Sequence, residues 1–170
     1  NTSNISLDDY FTTRQFSGDI YKTTNMMNQT LAQYCTTDSA LVKEQKKMDR
    51  FIMFAVAAAK EALAQAGWVA NTPEEQERTA TIIASGVGGF PAIADAVRTT
   101  DNKGPRRLSP FTIPSFLANL AAGHVSIAHG FRGPIGAPVT ACAAGAQAIG
   151  DAARMIRSGE ADIALCGGAE

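Results

Sequence analysis

Among the residues of this 170-residue chain, Cys142 is the one best placed to do chemistry; it lies within Ala137-Pro138-Val139-Thr140-Ala141-Cys142-Ala143-Ala144-Gly145-Ala146-Gln147-Ala148-Ile149-Gly150. An apolar, strand-like run there feeds into small residues with helical patterning, which puts the cysteine at a helix N-terminus. Unpaired backbone N–H groups and the positive end of the helix dipole face a residue in that position. Both favour an anionic sulfur, the form that acts as a nucleophile. The chemistry this points to is acyl transfer through a covalent thioester. Judged by its neighbours alone, a small buried apolar cysteine is an equal alternative.

The other candidates are weaker. Cys35 lies in a polar stretch without an activating context, and Cys166 lies in an apolar run that reads as core. Three cysteines so spaced form neither a disulfide framework nor a zinc motif, and they fit a reducing compartment. His124 and His129 are five apart, so they do not share the face that a helical metal pair needs, and they read as packed or capping residues. Gly86-Val87-Gly88-Gly89-Phe90-Pro91 follows a strand and precedes a helix, as a dinucleotide fingerprint would. Proline stands where the third glycine belongs, and the phosphate-binding lysine is absent, so a tight turn is the simpler reading. Lys43, Lys46 and Lys47 form one basic cluster, Arg106 and Arg107 another. Each is either a solvated face or a dock for an acidic partner.

These residues need elements to position them. Residues 1–48 are polar and Thr/Asn-rich, and read as a peripheral segment with short helices. Asp49 is placed to cap a helix over 50–66, with Phe51, Phe54, Ala55, Ala58, Ala62 and Ala66 at helical spacing and Gly67 at its end. An acidic connection over 71–78 leads to a buried strand at 79–85. The glycine turn opens a short helix over 91–99, followed by a basic loop over 101–107. Pro114 is expected to open a helix reaching His129, with Phe116, Leu117, Leu120, His124, Ile127 and Ala128 on one face. A strand over 135–141 then leads to Cys142. In the helix after it, Gln147, Asp151, Arg154 and Ser158 make a polar stripe, while Ala148, Ile149, Ala152, Met155 and Ile156 face inward. Ile163 to Cys166 is a further buried strand. Apolar strands alternating with helices predict an α/β layered fold.

Composition adds exclusions. Lys plus Arg number 15 and Asp plus Glu 16, for a net charge of −1, so nothing points to nucleic acid or a membrane surface. No apolar run is long enough to span a bilayer, and no secretory leader is visible. The start at Asn1 and the end at Gly167-Gly168-Ala169-Glu170, directly after a strand, read as cut ends of a longer protein.

Several short stretches share a common likeness. Thr140-Ala141-Cys142-Ala143-Ala144-Gly145, the preceding Arg132-Gly133-Pro134 and the final Gly167-Gly168-Ala169-Glu170 resemble the condensing enzymes. Lys46-Lys47-Met48-Asp49-Arg50-Phe51, Ser85-Gly86-Val87-Gly88-Gly89 and Arg106-Arg107-Leu108-Ser109-Pro110-Phe111 are similar to the β-ketoacyl-acyl-carrier-protein synthase II family. The resemblance covers the chain from about Lys43 onward. It implies a thiolase-like layered fold of two similar α/β halves, with residues 1–170 supplying most of the first half.

The resemblance also implies a ping-pong condensation. Cys142 would take an acyl chain from acyl carrier protein and pass it to the carbanion left when malonyl-carrier protein loses carbon dioxide. Its backbone N–H would be one oxyanion donor. Val87 would gate the acyl pocket at a position usually held by isoleucine. Lys43, Lys46 and Lys47 would meet the carrier protein, and Arg106 and Arg107 would reach the same docking surface from a partner subunit. The helix over 114–129 and the strand before Cys142 would form a homodimer interface. The implied enzyme is cytoplasmic and needs no cofactor beyond the phosphopantetheine arm of its carrier protein. The family's two catalytic histidines, its lysine and its second oxyanion donor have no counterparts here, so residues 1–170 alone are expected to be inactive. A polyketide ketosynthase and a non-catalytic chain-length subunit are the alternatives, and the retained Cys142 argues against the latter.

Overall fold

The computed structural model describes residues 47–170. The readings for residues 1–46, including Cys35, Lys43 and Lys46, lie outside the described residues.

Helix α1 spans Arg50–Ala66. Asp49 caps it as expected, accepting from Arg50 N through Oδ1. Its Oδ2 accepts from Ala92 N at 3.0 Å, so the same carboxylate ties α1 to a helix 43 residues on. Gly67 ends α1 in a left-handed conformation, φ 63°. The acidic connection contains a short helix, α2 (Pro73–Glu77), where the sequence predicts only a link. Thr72 and Glu75 form a reciprocal capping box there, and Pro73 fills the first turn.

Strand β1 (Thr79–Ala84) is buried along its whole length. Helix α3 (Phe90–Lys103) runs further than expected. The polar Asp101-Asn102-Lys103 continues it on a solvent-exposed side, and Gly104 and Pro105 then end it. Pro105–Arg107 form a single 3₁₀ turn.

The long helix expected from Pro114 is instead two, α4 (Thr112–Phe116) and α5 (Leu120–His129). The carbonyl of Phe116 is taken by the N–H of Gly89 at 2.9 Å, and Leu120 N turns to Leu117 O at 3.0 Å, so the ladder is interrupted. The buried face of α5 is also not the expected one. Ala121, Ala122 and Val125 are fully buried while Ile127 is 81% exposed. Small residues on α5 let it approach Ile52, Ala55 and Ala59 of α1 closely.

Strand β2 is only Ile135–Gly136, not the expected run to Ala141. Its backbone still tracks β1, because Pro134 O accepts from Thr81 N and Pro138 O from Ser85 N. Pro138 has no N–H to return, and regular pairing stops. After α6 (Ala144–Arg157), β3 (Ile163–Gly168) completes a parallel sheet of order β2-β1-β3. Arg78 and Asp162 join the β1 and β3 entrances by a 2.6 Å ion pair, and the guanidinium holds the Asp162 carboxyl below the usual carboxylate range.

The sheet is covered on both faces. Ile83 packs with α1 and α5, whereas Ile82 and Ala84 pack with Ala144, Ala148 and Ala152 of α6. Met155 packs inward as expected. Ile149 and Ile156 do not, being 57% and 44% exposed. One sheet alone contacts α6 among the described residues, so only its single row of alanines is buried. The layered α/β architecture, a parallel sheet with helices on both faces, is the one expected.

Candidate functional site

Three connections leave the carboxyl ends of the three parallel strands and meet at one cavity, the usual place for a ligand in such a sheet. The first, residues 85–89, joins β1 to α3. Its Gly88 has φ 85°, and a Cβ there would lie 2.5 Å from Phe116 O, so a side chain is excluded both by conformation and by space. The second leads from β2 to α6 and carries Cys142. The third is the end of the chain after β3.

Cys142 lies in a 3₁₀ turn, Ala141–Ala143, directly ahead of α6, and it is exposed. The strand-to-helix position is therefore as read, shifted one turn outward from the α-helix itself. Ala141 enters that turn with φ 48°, a left-handed conformation that costs a residue with a Cβ about 1–2 kcal/mol. Thr140 Oγ1 donates to Gln147 Oε1 at 2.8 Å, fastening the approach to the first turns of α6. That helix in turn sits hard against β3, since a Cβ on Gly168 would lie 3.2 Å from Gly145 Cα. Bare backbone on both sides brings the Cys142 turn to the end of β3.

The resulting cavity is about 490 Å³ and is lined by Cys142, Ala141, Gly145, Val87, Ala169 and Glu170 among others. Val87, which the resemblance implies as the gate of an acyl pocket, thus shares a cavity with Cys142. Ser85, Cys142 and Glu170 supply its polar side chains. The Glu170 carboxylate receives Ser85 Oγ–H and Gly86 N–H on Oε2, each at 2.6 Å, and Val87 N–H on Oε1 at 3.0 Å. Ser85 Oγ also accepts from Gly88 N at 2.9 Å.

Glu170, Ser85 and Ala141 were not picked out from the sequence as site residues. An acidic residue just past a strand-like run, in Gly-Gly-Ala-Glu, is the signal available for Glu170: a carboxylate at a strand end can serve the N–H groups of a glycine-rich turn at the next.

The basic residues lie elsewhere. Arg106 and Arg107 are exposed on their 3₁₀ turn. Lys47 Nζ stands 5.1 Å over the Phe111 ring, and Phe111 and Arg107 line a separate concavity of about 420 Å³. Among the described residues, Lys47 and Arg107, one from each sequence cluster, are thus both linked to Phe111 or its concavity, and Lys47, Arg106 and Arg107 do not line the Cys142 cavity. His124 and His129 lie on α5 and do not line that cavity either. His129 stacks on Phe131 with centroids 5.6 Å apart, and burial together with Lys60 pushes its pKa below the usual imidazole value. Cys166 is half-buried in β3, where burial pushes the thiol up, as suits an inert core residue. Among the described residues no cluster of three metal-ligating side chains occurs, and no helix is long and apolar enough to cross a membrane.

Residues 2–170 match the family described as beta-ketoacyl synthase, N-terminal domain. The chain is 56% identical over 128 residues to 3-oxoacyl-[acyl-carrier-protein] synthase 2 of Rhizobium meliloti (strain 1021), covering 75% of this chain and 30% of that protein. It is 50% identical over 133 residues to the mitochondrial 3-oxoacyl-[acyl-carrier-protein] synthase of Arabidopsis thaliana, covering 78% and 29% respectively. The chain therefore spans about 30% of the length of the curated relatives it matches. Its fold is similar to that of AntDE:AntF, a type II polyketide ketosynthase solved with its acyl-carrier protein (TM-score 0.69, 24% identity, 81% of this chain and 38% of that one). It is also similar to the ishigamide ketosynthase/chain length factor (TM-score 0.67, 26% identity, 81% and 37%).

Proposed function

Because the chain belongs to the β-ketoacyl synthase family, we propose that it is the N-terminal part of a 3-oxoacyl-[acyl-carrier-protein] synthase of fatty-acid elongation, with Cys142 carrying the acyl group. The observation that carries this reading is an exposed thiol on a strand-to-helix turn, opening into a cavity walled by small and apolar residues that include Val87.

In this reading the Cys142 sulfur attacks the thioester carbonyl of an acyl chain borne on acyl carrier protein. A carbon–sulfur bond forms to Cys142, the bond to the phosphopantetheine sulfur breaks, and that thiol leaves with a proton. The Cys142 backbone N–H serves as one donor to the oxyanion. Malonyl-carrier protein then loses carbon dioxide, and the electron pair left on its α-carbon attacks the acyl group. A carbon–carbon bond replaces the bond to Cys142, releasing a β-ketoacyl chain two carbons longer. The family's catalytic histidines, lysine and second oxyanion donor are assigned to sequence outside this chain.

Lys43, Lys46, Lys47, Arg106 and Arg107 are the proposed contacts for the acidic carrier protein, supported by Lys47 standing over Phe111 and by Arg107 lining the same concavity as Phe111. A homodimer, a cytoplasmic setting and the lack of any cofactor of its own complete the proposal. A polyketide ketosynthase is the second reading, favoured by the structural neighbours. The names of the relatives at higher identity favour fatty-acid elongation.

The test is made on the full-length enzyme. After incubation with acyl-loaded carrier protein and proteolysis, mass spectrometry is expected to find the acyl mass on the Cys142 peptide. Cys142→Ser is expected to lower condensation by at least about a thousandfold, as loss of a covalent nucleophile does. An adduct on another residue, or none at all, would overturn the assignment.

A further inference from the structure

We infer that Glu170 is a positioning residue for acyl-chain selection, acting through the 85–89 connection that carries Val87. The inference rests on the reading of this cavity as an acyl site.

Among the described residues the side chain of Val87 is 59% exposed, so within residues 47–170 its place is set by its backbone and not by packing. Among the described residues, the Glu170 side chain takes two successive N–H groups of that backbone, from Gly86 and Val87, and the hydroxyl of the residue before them. Ser85 is buried and passes the anchor on to Gly88 N, so both ends of the turn lead back to one carboxylate. Glu170 is itself held in place: Ala169 N donates to Ala84 O at 3.0 Å, carrying the β1–β3 pairing one residue past the strand. The anchor also reaches towards the nucleophile. A Cβ on Gly86 would lie 3.5 Å from Glu170 Oε2 and 3.6 Å from Ala141 Cα, so the turn is held between the carboxylate and the backbone preceding Cys142.

Both carboxylate oxygens are in use, and all three partners are donors. Glutamine at this position keeps the shape but has one acceptor oxygen, and its NH₂ would face N–H groups. Alanine removes every contact. Release of the anchor lets the Val87 backbone shift, which alters the room left for the acyl chain and leaves the thiol itself in place. Discrimination between chain lengths should therefore change more than turnover on a preferred chain.

Full-length wild type, Glu170→Gln, Glu170→Ala and Val87→Ile are compared with a medium-chain and a long-chain acyl-carrier substrate, with kcat and KM measured for each. Glu170→Ala is expected to change the long-to-medium ratio of kcat/KM by about fivefold, chiefly through KM, with Glu170→Gln between it and wild type. Val87→Ile is expected to move the same ratio. A uniform fall for both chains, or an unchanged ratio in the Glu170 variants, overturns the inference while leaving Cys142 as the acyl carrier. An unchanged ratio in Val87→Ile overturns it as well. If wild type takes no acyl group, the cavity reading fails along with it. Should Glu170→Ala not fold, Glu170→Gln decides alone: about a twofold shift in the ratio supports the inference and none overturns it.

Discussion

Ala141 is the single non-glycine residue with positive φ among those described, and it immediately precedes the proposed nucleophile. Strain placed there is what lets the chain leave the β2 track and turn sharply enough to present Cys142 ahead of α6. A β-branched side chain tolerates that conformation far less than alanine does. Ala141→Val is expected to lower the unfolding free energy of the full-length enzyme by about 1–3 kcal/mol, measured by urea denaturation. Ala141→Gly is expected to stay within about 1 kcal/mol of wild type, because relief of strain offsets the extra freedom of the unfolded chain. A valine variant as stable as wild type would mean the turn is not left-handed. The strand-to-helix setting of Cys142 was legible from the small residues around it, whereas Val87 was pointed to only by the family resemblance and by pattern alone read as part of a tight turn. Glu170 was not, because its partners are 83 to 85 positions away.

Helix α5 shows which features of an element are local. Its end at His129 is where the sequence placed it, and Gly130 caps it there, but its start and its buried face were not legible. The break before it depends on Phe116 O meeting Gly89 N, and the buried face depends on the alanines of α1. His129, in its last turn, carries an electrostatic consequence. The helix C-terminus favours the imidazolium, yet burial against Phe131 and the nearby Lys60 outweigh it and lower the pKa. The unfolded chain thus binds this proton more readily than the folded one. Stability from the neutral ring is fully present above the usual imidazole value of about 6.5 and is lost as pH falls from there through the lowered folded value. The urea midpoint is expected to drop between about pH 7.5 and about pH 5.5, and His129→Phe is expected to make that drop smaller. An identical drop in the variant would assign the pH dependence to other groups.

At the scale of the molecule, the sheet gathers three connections around Cys142, but among the described residues only Ser85 and Glu170 line the cavity with polar side chains beside it. The proposed decarboxylation would leave charge that needs fixed donors, and both histidines of the chain lie away from the cavity. Residues 1–170 expressed alone are therefore expected to release no carbon dioxide from radiolabelled malonyl-carrier protein, and measurable turnover would contradict the assignment of the remaining groups to sequence outside them. By itself the sequence determined the alternation of helices and strands, the caps of α1 and the strand-to-helix setting of Cys142. Those features rest on period, capping chemistry and residue size, which act within a few neighbours. Only the tertiary structure decided the shortness of β2, the split of α4 from α5, the outward-facing Ile149 and Ile156, and the Glu170 anchor. Each of these depends on backbone groups or surfaces brought together by sheet pairing across tens of residues, and no local pattern encodes which distant donor will meet which acceptor.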